Sequence, residues 1–203
     1  MPVSIPALKV QFEKQVFNTN QFKGLALGIA QRRVNLAQID MLETFEGNSV
    51  TKEIEGGVDY NGPSIINYHS TEGQANLFSF IGFPAGSNPV DVLRKLLEFP
   101  IRVQLATRNK NAYYFRVLSP TVKDVEDATP MPDDYLSGNF SWARGIEDGD
   151  LLGIGQYLAI ETSASRSGKG IQIRFGNVNN SIETVPYITE ILEAFRKRLE
   201  EIS

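Results

Sequence analysis

The sequence predicts an α+β fold: a small antiparallel sheet packed with a long N-terminal helix, a middle helix and a C-terminal helix, plus a long irregular arm. Three observations carry this. Residues 101–106 and 112–118 alternate apolar and polar side chains around a polar turn at 107–111, the period of a half-buried hairpin. Segments near 20–46, 89–98 and 184–202 carry apolar residues at helical spacing. Residues 128–158 hold the only Trp together with several Pro and Gly, and fit neither period.

In chain order, Asn18, Thr19 and Asn20 can cap a helix whose apolar positions are Phe22, Leu25, Ile29, Leu36, Ile39 and Leu42. It should run from about 20 to 46 and stop at Gly47. Residues 7–17 suit helix or strand equally. A helical turn over 50–55 ends at Gly56 and Gly57. Residues 58–83, with Ile65, Ile66 and the run 77–83, are rich in strand formers and are expected to be β structure. Ser87 to Pro89 open a middle helix that places Val92, Leu93, Leu96 and Leu97 on one face, and Pro100 bounds it. In the hairpin, Ile101, Val103, Leu105, Tyr113, Phe115 and Val117 share the buried phase, while Arg102 and Arg116 lie on the wet one. A short helix around 141–147 interrupts the irregular segment. Strands at 156–162 and 170–175 flank a basic loop, and a final helix lines up Ile188, Ile191, Leu192, Phe195, Leu199 and Ile202. There is no internal repeat, and no heptad run long enough for a coiled coil is evident.

A chain of 203 residues fits one domain spanning 1–203, or at most two small ones, with an irregular docking segment over about 124–155. A domain this size buries roughly 70% of its unfolded surface, so a real core forms without staples. The absence of cysteine excludes disulfides, thiolate metal sites and a Cys nucleophile. The first residues lack the basic head and apolar core of a signal peptide, and no run is long enough to span a membrane. No membrane partner is expected. A net charge of −4 argues against general nucleic-acid binding. The charges are segregated: Arg102, Arg108, Lys110, Arg116 and Lys123 are followed by eight acids between Asp124 and Asp150, against Arg144 alone. Such blocks pair within a subunit or between neighbours, or stand as two solvated faces.

The groups that carry chemistry are sparse. His69 stands beside Ser70 and Thr71, but nothing like a nucleophile elbow accompanies it. Residues 165–170 superficially resemble a phosphate loop, yet lack its spacing and enter a strand instead of a helix. Glu147, Asp148 and Asp150 could hold a divalent cation, but the pattern of a calcium loop is missing. Aromatics interleaved with Arg could stack single-stranded bases, although their alternation on strands points to core packing. No catalytic residue, metal site or cofactor is therefore assigned, and an enzyme is not expected. Buried aromatics and Arg are the usual anchors of interfaces. On that ground Phe140, Trp142 and Arg144 are expected to anchor the arm on a neighbour. Arg108 and Lys110 in the 107–111 turn, with Arg166 and Lys169, should make peripheral contacts.

Several phrases occur together in order: Ser49-Val-Thr-Lys-Glu-Ile54, Gly73-x-x-Asn-Leu-Phe-Ser-Phe-Ile-Gly-Phe83, Thr129-Pro-Met-Pro132, Ser141-Trp-x-x-Gly-Ile-Glu-x-Gly149, Leu152-Gly-x-Gly-x-Tyr-Leu158 and Arg166-Ser-Gly-Lys-Gly-Ile-Gln172. This order, over residues 49–175, resembles a group of uncharacterised virion proteins of tailed bacteriophages encoded among the head–tail joining genes. The resemblance implies a structural part of the neck or tail: a tail-completion, connector or terminator subunit, assembled into a homo-oligomeric ring in the virion. It would dock on other phage neck and tail proteins, with DNA only as passing cargo. Other tail components (tail tube, terminator or baseplate) stand as alternatives within the class. A hydrolase using Glu147 and Asp150, or a monomeric single-strand binder, would belong to different classes.

Overall fold

A single helix, α1, runs from Asn20–Gly47 in a computed structural model that describes residues 19–65, 76–108, 112–132, 140–149, 158–161, 171–172 and 184–201. Thr19 caps it, its hydroxyl oxygen accepting from the Phe22 amide at 3.2 Å. Asn48 is extended and ends it, and the Asn48 side chain in turn caps α2 (Ser49–Glu55), accepting from the Val50 amide. A 3-10 turn follows at Gly57–Asp59. The helices α3 (Leu77–Ile81) and α4 (Val90–Glu98) precede a hairpin of β1 (Arg102–Arg108) and β2 (Tyr113–Leu118). Then come α5 (Val122–Ala128), α6 (Trp142–Asp148), a second antiparallel pair of β3 (Leu158–Glu161) and β4 (Ile171–Gln172), and α7 (Tyr187–Glu201). The described residues thus form an α+β fold in which helices outweigh the sheet.

The core follows α1. Val34, Ala37, Met41 and Phe45 recur on one stripe and are fully or almost fully buried. Against them pack α7, through Ile188, Ile191, Leu192 and Phe195, and α4, through Val90, Leu93 and Leu97. The β1–β2 hairpin lies on the N-terminal half of α1. Its register is Arg102↔Leu118 to Leu105↔Phe115, then shifts past a bulge to Thr107↔Tyr114 and Arg108↔Tyr113.

Two glutamines on α1 complete backbone hydrogen bonding elsewhere. The Gln38 amide donates to the carbonyls of Leu97 (2.7 Å) and Phe99 (2.9 Å), groups that the C-terminus of α4 leaves without helical partners. Gln31 acts like a short strand on the free edge of β1. It donates to the Ile101 carbonyl at 2.7 Å and accepts from the Val103 amide at 3.1 Å. Arg94 ties α4 to two neighbours. Its guanidinium forks onto Glu46 at 2.7 and 3.1 Å and reaches Glu55 at 2.8 Å and Asp91 at 2.7 Å, while lying over the Phe45 ring.

Four expectations change. The run 77–83 is helix and turn, not strand: the Asn76 side chain accepts from the Ser79 amide, and Gly82 at φ 85° closes α3 as a left-handed cap. With five residues between two caps, strand-forming side chains are recruited into a buried helical turn. The buried face of α4 is Val90, Leu93 and Leu97, and Val92 is exposed. On α1 the spacing that signals the helix is not the side it buries, because Leu25, Ile29, Leu36 and Ile39 face outward. Finally, the segment expected to be irregular contains α5 as well as α6. Residues 7–17, His69, the turn at Glu72 and Gly73, and Ile202 lie outside the described residues.

The face of α4 can be tested by urea denaturation. Leu93→Ala should lower stability by about 2–5 kcal/mol, whereas Val92→Ala should change it by less than about 0.5 kcal/mol. A large loss in the second variant would restore the face read from the sequence.

Candidate interaction surface

Residues 119–149 form a built scaffold. Thr121 and Asp124 make a capping box at the start of α5: the Asp124 carboxylate accepts from the Thr121 amide at 2.7 Å, and the Thr121 hydroxyl accepts from the Asp124 amide at 3.2 Å. Hydrogen bonds from the Thr121 hydroxyl and amide hold the Asp124 carboxyl below its ordinary value. At the far end of α5, Thr129 Oγ1 donates to the Val125 carbonyl and sits 2.6 Å from Ser141 Oγ. The Trp142 amide donates to the Thr129 carbonyl, and the Met131 amide to Phe140. These contacts, with the Pro130↔Ser141 bridge, clamp the chain before residue 133 to the chain after residue 139.

Trp142 leaves this clamp inward and is 1% exposed. Its indole meets Phe83 edge-on at 5.9 Å and tilts over Tyr187 at 6.0 Å. The expectation that it anchors an arm on a neighbour is corrected: the side chain is consumed in the core between α3, α6 and α7. Large apolar area beside an Arg signals an anchor, but a ring this size is equally suited to closing a core. Phe140 differs, being 54% exposed. Arg144 points outward from α6, paired with Asp148 at 2.6 Å and Glu126 at 3.7 Å. Its hydrogen bond to Asp148 raises the guanidinium pKa. Of the peripheral set, Arg108 is exposed at the end of β1, whereas Lys110, Arg166 and Lys169 lie outside the described residues.

The acidic block is partly answered from within the chain. Besides Arg144, Lys123 pairs with Asp127 at 2.9 Å. The outer face of the hairpin is different. Arg102 and Arg116 are exposed and form no ion pair among the described residues, and Tyr114 and Leu118 are exposed beside them, whereas Arg108, opposite Tyr113 past the bulge, is exposed on the other face. Next to this face a groove of about 360 Å³ opens between the end of α4, the hairpin base and the start of α5. Leu96, Phe99, Leu118 and Pro120 line it, with Arg102 and Asp124 at its edge.

The carboxylates singled out for chemistry have structural partners. Glu147 Oε2 accepts from the amides of Ile188 (3.0 Å) and Thr189 (3.2 Å), and Oε1 accepts from the Thr189 hydroxyl. It therefore caps α7 from another helix and sets a negative charge at that helix's N-terminus. Asp148 is engaged with Arg144, and Asp150 lies outside the described residues. Among the described residues no group of three or more His, Cys, Asp or Glu is placed to hold a metal ion. Likewise, no described helix is long and apolar enough to cross a membrane.

One buried carboxylate gives no sign in the sequence. Glu53 on α2 is fully buried, accepting from the Ser64 hydroxyl at 2.5 Å and the amides of Leu77 at 2.6 Å and Ile65 at 3.3 Å. It fastens both ends of the stretch from Ile65 to Leu77 onto α2. Burial pushes its pKa up, against the three hydrogen bonds that favour the charged form.

No family model, no curated protein and no solved structure matches this chain.

Two measurements check these assignments. Trp142→Ala should lower stability by about 3–5 kcal/mol, read as an earlier thermal transition in the isolated chain. An unchanged transition would return Trp142 to the surface. Glu53 binds its proton more tightly in the folded chain than in the unfolded one. Its contribution therefore favours folding most below the ordinary carboxylate pKa and declines as pH rises from there through the raised value. Glu53→Gln should remove that slope. Glu53→Ala, which leaves the Ser64, Ile65 and Leu77 donors unpaired, should cost roughly 2–4 kcal/mol.

Proposed function

We propose that this chain is a non-enzymatic structural protein of a tailed-phage virion, placed at the head–tail junction. There it self-assembles into a ring and docks on neighbouring neck and tail proteins. The observation that carries the reading is the contrast between inside and outside. Glu53, Glu147 and Asp148 have structural partners, whereas the outer hairpin face keeps Arg102 and Arg116 without an ion pair among the described residues, exposed Tyr114 and Leu118, and an apolar groove. A ring subunit needs two unlike patches that meet around an axis. The hairpin face with its groove is one candidate patch, and exposed Phe140 beside Arg144 is a candidate for the other. Arg102 and Arg116 would steer an acidic neighbour onto the groove, where Phe99 and Leu118 supply the desolvated contact. DNA passes such a ring as cargo, which a net charge of −4 suits because few phosphates are neutralised.

The test is location. Mass spectrometry of purified particles of the encoding phage should find the chain in multiple copies, and gold-labelled antibody should mark the junction of head and tail. Absence from intact particles would end the reading. Arg102→Glu with Arg116→Glu should abolish incorporation while leaving the isolated chain folded.

A further inference from the structure

We infer that the outward side of α1 from Ile29 onward is covered by the same side of a second copy, the two helices running antiparallel. Leu25, Ile29, Leu36 and Ile39 are 63, 51, 41 and 50% exposed. With Arg32 and Glu43 they fall on one line at positions 25, 29, 32, 36, 39 and 43, whose steps alternate four and three. That alternation is the seam spacing of a coiled coil, and it runs for roughly 27 Å along the helix. The opposite side of α1 already buries Val34, Ala37, Met41 and Phe45, so the line is not part of this chain's core. A helix apolar on two sides calls for cover on both. Gly24 and Gly28 border the line, and nothing lies within 4 Å of where their β-carbons would stand. A mid-helix glycine weakens a helix, and no contact among the described residues explains these two.

Charge selects the occupant and its direction. Arg32 and Arg33 stand in the first half of α1 and Glu43 in the second, and none of the three has an ion pair or hydrogen bond among the described residues. A parallel copy would set Arg32 against Arg32 and Glu43 against Glu43. An antiparallel copy, centred between Leu36 and Ile39, sets each Arg32 against the other Glu43, packs Leu36 on Ile39 and brings Ile29 to the last turn of the other helix, with Leu25 past its end. A surface that answers its own charges under a two-fold rotation fits an isologous contact between identical chains. The inference rests on α1 alone and is independent of the virion reading, because the hairpin face stays open in such a pair.

Sedimentation equilibrium of the full chain should give a dimer mass at micromolar concentration. Leu36→Ser with Ile39→Ser should give a monomer whose circular dichroism is unchanged. Arg32→Glu should weaken association by about tenfold, and adding Glu43→Arg to it should restore the original affinity. The natural chain has no cysteine, so direction can be read from one added residue. Oxidised Leu25→Cys should form no disulfide-linked pair, since antiparallel packing holds the two positions far apart. A wild-type monomer at high micromolar concentration, an assembly indifferent to the Leu36 and Ile39 changes, or efficient Leu25→Cys cross-linking would each overturn the inference. A chain found in particles yet monomeric would sink this inference alone, and a dimer absent from particles would sink only the functional reading.

Discussion

The pairing of α1 with α7 is the constraint on which the rest of the structure depends. It buries the Met41 and Phe45 end of the long helix under Ile188, Ile191, Leu192 and Phe195. Polar contacts fix where along α1 the partner sits. Tyr187 Oη lies 2.9 Å from Thr51 Oγ1, and the Asn48 amide donates to Glu190 at 2.8 Å. Arg198 Nε stands 3.2 Å from Asp40, as an ion pair out of line for a hydrogen bond. Burial lifts the Tyr187 hydroxyl well above its ordinary pKa, so this contact is neutral throughout the physiological range. Moving α7 along α1 would break all three contacts, and would also draw its first turn away from Glu147 and the Trp142 ring.

Polar groups inside the molecule serve as fasteners in the same way. Glu53 closes a stretch of chain, Glu147 finishes a helix begun elsewhere, and Arg94 gathers three carboxylates over an aromatic ring. Each is satisfied where it stands, which is how buried charge is tolerated at all. What is left for recognition lies outside: a basic sheet face, an apolar groove and the far side of α1. The first two adjoin at Arg102 and Leu118.

Much of this was legible from local signals. The Thr19 cap and the Asn48 stop delimit α1, the alternation of Ile101, Val103 and Leu105 marks the hairpin, and the stripe of α7 is the stripe it buries. The misreadings share a cause. In 77–83 the aromatic and β-branched side chains outvoted the caps, although Asn76 and Gly82 stand at both ends. In α5 the Thr121-x-x-Asp124 box was present but passed over, because the acidic run around it reads as solvated loop. Periodicity on α1 indicates a helix without saying which side is inward, since both sides are apolar. That choice comes from α7 and α4, which lie far away in sequence. The same holds for Glu53 and Trp142, whose surroundings are assembled from segments no window spans.

The distance along the chain between α1 and α7 has a consequence for synthesis. The two helices are separated by some 140 residues, those from Asn48 to Pro186. At about 5–20 residues per second, a ribosome takes roughly 7–28 s to cover that interval. Within it α4 and the hairpin can cover part of α1, but the side that α7 buries stays open until the end. The core of this protein therefore closes late, and the waiting helix is the segment that a cell's chaperones would meet first.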